Sequence, residues 1–105
     1  MEIEVINEQD GHRFAAHVDG HLAKLEYSLD DNELILEHTS VPEEIGGRGV
    51  AGALVEAALD WAEAEKLTVV PWCSYTRNWL QHHPYEAGRV KIDWRDPPED
   101  HGPKS

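Results

Sequence analysis

Gly46-Gly47-Arg48-Gly49-Val50-Ala51-Gly52-Ala53-Leu54-Val55-Glu56-Ala57-Ala58 is the stretch on which the fold turns. The glycines give way at once to a helical period. Val50, Leu54, Ala58 and Trp61 or Ala62 share one face, and Glu56, Asp60, Glu63 and Lys66 lie largely on the other. The spacing predicts a helix from about Gly49 to Glu65. Leu67-Thr68-Val69-Val70-Pro71-Trp72 follows, short and apolar enough for a strand covered on both faces. Pro42 ends the strand before the glycines, because it lacks the amide that a sheet ladder needs. Strand, loop, helix and strand make a β-α-β crossover.

Working outward, the first forty residues read as strands divided by turns: Glu2 to Asn7, Arg13 to Val18, Leu22 to Leu29 and Glu33 to Val41. Asp19-Gly20 is a two-residue hairpin signal. In the fourth strand, alternation sets Leu34, Leu36 and His38 against Ile35, Glu37 and Thr39. Downstream, a short helix runs from Tyr75 or Thr76 to His82 and stops before Pro84, with a further turn or helix from Tyr85 to Arg89. The predicted fold is α/β (α+β), an antiparallel meander followed by a β-α-β unit, in one domain over residues 1–95. Residues 96–105, rich in proline and charge, read as a disordered tail.

The 105 residues suffice for a single two-layer core and are too few for a second folded unit. Apolar stretches run only a few residues, well short of the roughly 18 of a membrane span. Met1-Glu2-Ile3-Glu4-Val5 has neither the basic start nor the apolar run of a secretory signal, so a cytoplasmic setting is expected. With 21 acidic against 9 basic side chains, the net charge of −12 argues against nucleic acid or an anionic membrane as partner. A cationic substrate such as an amine is easier to accommodate, although such charge also serves solubility alone. The seven histidines fall singly, with no spacing that suggests a metal site.

A helix N-terminus leaves amides without internal acceptors and carries about half a positive charge, so an oxyanion placed there meets aligned donors. Gly46, Gly47 and Gly49 let a phosphate approach the backbone, and Arg48 can add a charge. The loop does not match a P-loop, since no Gly-Lys-Ser/Thr follows, and the antiparallel front half does not begin a Rossmann unit.

His38 to Leu54, followed by Val69-Val70-Pro71-Trp72-Cys73-Ser74-Tyr75 and His83-Pro84-Tyr85, resembles the short, single-domain branch of the GNAT acetyltransferases. In that superfamily a segment Arg/Gln-x-x-Gly-x-Gly/Ala wraps the pyrophosphate of coenzyme A. Gly46, Gly47, Arg48, Gly49, Val50 and Ala51 occupy its six places, and only Gly46 departs from the pattern. The resemblance implies a mixed sheet whose parallel fourth and fifth strands splay apart. The cleft between them would take the thioester and pantetheine arm, with residues around Leu36 to Val41 and Val70 to Cys73 lining the acetyl group. It implies acetyl-CoA as cosubstrate and an amine acceptor, and the histidine spacing leads to no metal being expected.

Acetyl transfer to an amine needs a neutral nucleophile, stabilisation of the developing oxyanion and an acid for the departing thiolate. Direct transfer needs no nucleophile on the protein. Cys73, between the fifth strand and a helix, suits a covalent acetyl carrier if exposed and activated, or a buried structural residue. His38, just ahead of the glycine loop, suits a general base or an ordinary strand histidine. By the resemblance Tyr75 approaches the departing sulfur; otherwise it packs in the core. An N-acetyltransferase is the first functional reading. A binding module that holds acetyl-CoA with little turnover is the second, because only Glu8-Gln9-Asp10-Gly11-His12 joins the first two strands where larger relatives carry acceptor-site helices. A protein-interaction domain without cosubstrate is the third.

Overall fold

The computed structural model describes residues 3–98. Strands β1 (Val5–Glu8), β2 (Arg13–Val18), β3 (His21–Asp30) and β4 (Glu33–Ser40) form an antiparallel meander. Asp19 and Gly20 turn β2 into β3 with φ of 50° and 80°, the left-handed pair that a two-residue hairpin favours. Helix α1 (Val50–Glu65) then crosses to β5 (Thr68–Pro71), which lies parallel to β4, giving the sheet order β1-β2-β3-β4-β5. Helices α2 (Ser74–His82) and α3 (Pro84–Ala87) follow. The mixed sheet and its crossover agree with the fold class read from the residues. Element ends differ from that reading by a residue or two, except that β1 begins at Val5 rather than Glu2.

The core lies between α1 and one face of the sheet. Val50, Leu54, Val55, Ala58, Leu59 and Ala62 of α1 are buried against Phe14, Ala16, Leu25, Leu34, Leu36 and Val69. Period 3.6 and period 2 thus meet over one apolar layer. Trp61 caps that layer, its ring centroid 5.9 Å from Phe14 and 5.5 Å from Tyr27. Val70 is as fully buried as Val69 although it belongs to the opposite face, so β5 is covered on both sides.

A β-bulge at Glu37 corrects the simple alternation expected in β4. Leu36 pairs with Tyr27, but His38 rather than Glu37 pairs with Glu26, and Thr39 pairs with Leu25. One extra residue reverses the side on which every later side chain falls. Thr39, not His38, therefore shares the α1 face with Leu34 and Leu36, and His38 turns to the other side.

Beyond β5, Ile92 makes a parallel bridge to Val69, with Val69 N–H donating to Lys91 O and Asp93 N–H to Val69 O, both at 2.8 Å. Arg77 of α2 ties this segment down by donating to the carbonyls of Pro71, Trp94 and Arg95 at 3.2, 3.1 and 3.0 Å. Residues 96–98 are neither helix nor strand, and the remainder of the charged tail, 99–105, lies outside the described residues. Among the described residues no helix is long and apolar enough to cross a membrane.

Candidate active site

Between β4 and β5 the ladder stops at Leu36 and Pro71. The amides of Trp72 and Cys73 both donate to Leu36 O, at 3.0 and 2.9 Å, and past that junction β4 continues to Ser40 without a β5 partner. The two strands part there, and a cleft of about 390 Å³ opens at the mouth of the V. It is lined by Thr39 and Val41 on the β4 side, by Ile45, Gly46, Gly47 and Gly49 of the loop, by Val50 and Ala51 of α1, and by Tyr75 of α2.

The loop is shaped from both ends. Glu43–Ile45 makes one tight turn, in which Ile45 N–H donates to Pro42 O and Gly46 N–H to Glu43 O, both at 3.1 Å. Ile45 is fully buried in the core and anchors that turn. Gly47 and Gly49 then take φ of 78° and 79°, a left-handed backbone that side-chain-bearing residues avoid. Gly49 caps α1 without a side-chain hydrogen bond, and Ala53 N–H is the donor that returns to Gly49 O. The amides of Val50, Ala51 and Gly52 thus have no intrahelical acceptor, at the positive end of a 16-residue helix dipole. A Cβ on Gly47 or Gly49 would meet nothing within 4 Å, so the backbone there faces open space. These main-chain donors stand at the start of α1, the end of a helix at which an anion is favoured.

The residues singled out from the sequence separate into two groups. Val41, Gly46, Gly47, Gly49, Val50, Ala51 and Tyr75 come together around the cleft. Arg48 projects elsewhere and pairs with Asp19 in the β2–β3 turn. His38, on the far face of β4, does not line the cleft, and neither does Cys73, which is 0% exposed. The Cys73 Sγ lies 3.1 Å from Thr39 Oγ1, directly behind the cleft wall. Tyr75 is partly open to solvent, at 38% exposure, and its phenol is pushed above the ordinary tyrosine value by burial and, second, by Cys73 beside it. It therefore keeps its proton across the neutral range. Thr39 falls within the segment Leu36 to Val41 expected to line the acetyl group, whereas Ile45 was not among the sequence candidates. Ile45 carries a usable signal, an apolar residue beside the glycines, whereas Thr39 reaches the cleft only through the bulge.

Comparison with known proteins agrees with this geometry. Residues 13–89 match the family model described as GCN5-related N-acetyl-transferase. Protein NATD1 of Gallus gallus and of Mus musculus are each 31% identical over 85 residues, 78% of this chain and 77% of theirs. The solution structure of a GCN5-like candidate N-acetyltransferase from Staphylococcus aureus superposes with a TM-score of 0.67, at 26% identity and 96% coverage of both chains. The match runs from β2 through α3 and contains the parted strands and the glycine loop, so this chain belongs to the GCN5-related N-acetyltransferase family.

Proposed function

We propose that this protein is an acetyl-CoA-dependent N-acetyltransferase that seats the diphosphate of its cosubstrate on the amides of Gly47 to Gly52. The observation that carries this reading is the junction of two features in one cleft. Main-chain donors stand at its α1 end, and an unpaired β4 edge runs along its length. The residues fit such a ligand. The open backbone at Gly47 and Gly49 admits an anion, and the free β4 edge offers hydrogen bonds to the amide-rich pantetheine arm as an added strand would. With Arg48 held by Asp19, diphosphate binding rests on backbone rather than side-chain charge.

Acetyl-CoA supplies an activated acetyl group, as a thioester, to an amine acceptor. The neutral amine attacks the thioester carbonyl, forming a C–N bond as the C–S bond breaks. Tyr75, protonated at neutral pH and on the cleft wall, donates its hydroxyl proton to the departing thiolate. The proton lost by the amine nitrogen passes through solvent to restore the phenol. Buried Cys73 supports direct transfer over a covalent relay, because no part of it is open to the cleft. The protein's net charge of −12 favours a cationic amine as acceptor.

Calorimetric binding of CoA, followed by thiol release with candidate amines, tests the proposal. A Cys73→Ala variant should keep transferring acetyl, and mass spectrometry of the wild type should find no labile acetyl on Cys73. Failure to bind CoA overturns the reading, and an acetylated Cys73 overturns the direct route. A second reading, a module that binds acetyl-CoA without turnover, draws on the short link between β1 and β2, where a single turn at Gln9–Gly11 covers little. Tight CoA binding with no thiol release from any amine would favour it.

A further inference from the structure

We infer that Thr39, backed by Cys73, is the stop that limits the acyl group to the length of an acetyl. This inference rests on the acetyl-CoA reading above. Along the β4 side, the cleft lining begins at Thr39, and no residue nearer the β5 junction contributes to it. Cys73 Sγ stands against Thr39 Oγ1 at 3.1 Å, and Cys73 is in turn tied to Leu36, whose carbonyl accepts the amides of Trp72 and Cys73. Thr39, Cys73 and Leu36 are linked at the junction of β4 and β5, and each is fixed. Thr39 is β-branched and stiff at χ1, Cys73 is fully buried where β5 passes into α2, and Leu36 is pinned in the sheet. A wall of this kind does not move aside as a long exposed side chain would. The other end of the cleft leads to the glycine loop, so an acyl chain entering with its thioester has its terminal carbon directed at Thr39. Close packing makes each added methylene costly there, typically about tenfold or more in affinity.

The test uses the full chain and needs no acceptor. Calorimetry with CoA, acetyl-CoA, propionyl-CoA and butyryl-CoA should show butyryl-CoA binding at least about tenfold more weakly than acetyl-CoA. Thr39→Ser removes one methyl and keeps the hydroxyl toward Cys73, while Thr39→Ala removes both. Either should narrow the gap between acetyl-CoA and propionyl-CoA to within about threefold, whereas the equal-sized Thr39→Val should preserve it. Equal wild-type affinity for acetyl-CoA and butyryl-CoA overturns the inference even if every variant fails to fold. So does an unchanged gap in folded Thr39→Ser. CoA carries no acyl group and separates the two levels of the argument. If CoA does not bind, the cosubstrate reading falls and this inference with it. If CoA binds but chain length makes no difference, only the acyl stop is lost.

Discussion

A Cβ placed on Gly52 would stand 3.0 Å from Nε1 of Trp79, so α1 and α2 meet as closely as a glycine permits. The indole has little room to yield, because it stacks on His83 with ring centroids 3.9 Å apart and only 13° between planes. His83 is itself held, its Nδ1 lying 2.8 Å from Trp79 O. Alanine at position 52 gains about 0.5–1 kcal/mol of helix propensity and loses a similar amount to the contact, leaving stability close to wild type. Gly52→Leu forces the helices apart and should destabilise the fold by about 1–3 kcal/mol in urea titration. A leucine variant as stable as the wild type would mean that α2 is free to shift on α1.

Gly49 separates backbone strain from crowding. Its φ is 79° and nothing lies within 4 Å of an added Cβ, so Gly49→Val is strained but not obstructed in the protein alone. The left-handed backbone should cost roughly 1–2 kcal/mol of stability for a residue bearing a side chain. If the diphosphate sits on this loop as proposed, CoA affinity should fall further than that strain implies, because the new methyls would occupy its space. Thermal melting and calorimetry on the same variant check both halves. Unaltered CoA affinity would place the diphosphate elsewhere.

If Tyr75 is the proton donor proposed above, it sets the alkaline side of the pH profile. Burial raises its folded pKa above the ordinary 10.0, so the phenol keeps its proton throughout the neutral and mildly basic range. The transfer rate should rise with pH as the amine acceptor loses its proton, and should decline only above pH 10. Tyr75→Phe should lower kcat by about 10²- to 10⁴-fold with a much smaller change in KM for acetyl-CoA. A wild-type rate already falling by pH 8 would exclude the phenol as the acid.

Arg95 staples the C-terminal segment to the sheet, donating to Glu33 Oε1 at 2.8 Å and to Asp93 Oδ2 at 2.7 Å. The Arg95 side chain holds the Glu33 carboxyl below its ordinary 4.5, and the Arg95 amide, then its side chain, hold Asp93 below 3.8. Folded values below the unfolded ones mean a contribution that is present at neutral pH and lost as pH falls through the folded values. Arg95→Ala should lower Tm modestly at pH 7, and the difference should shrink below about pH 4 as both carboxyls take up protons. A Tm gap that persists undiminished in strong acid would show that Arg95 acts through packing instead.

Most of this architecture was legible in the residues because its signals are local. The break between Gly49 and Val50, the apolar stripe of α1, the Asp19-Gly20 turn and the stop at Pro42 each depend on a few neighbouring residues and on backbone sterics. They establish the order of strands and helices and put the glycine loop at a helix start. The cleft-lining positions from Gly46 to Ala51 follow from that order, Arg48 excepted.

What the chain order left open was decided by pairing between distant segments. The bulge at Glu37 exists only relative to β3, and it is what exchanges His38 for Thr39 on the α1 face. Cys73 is closed off because Thr39, 34 residues earlier, lies against it. Arg48 is drawn from the loop by Asp19, a residue of the β2–β3 turn. Turn chemistry and hydrophobic period are written within a few residues, but the direction a side chain faces at the end of a strand depends on the register of its partner strand. That register is a property of the assembled sheet.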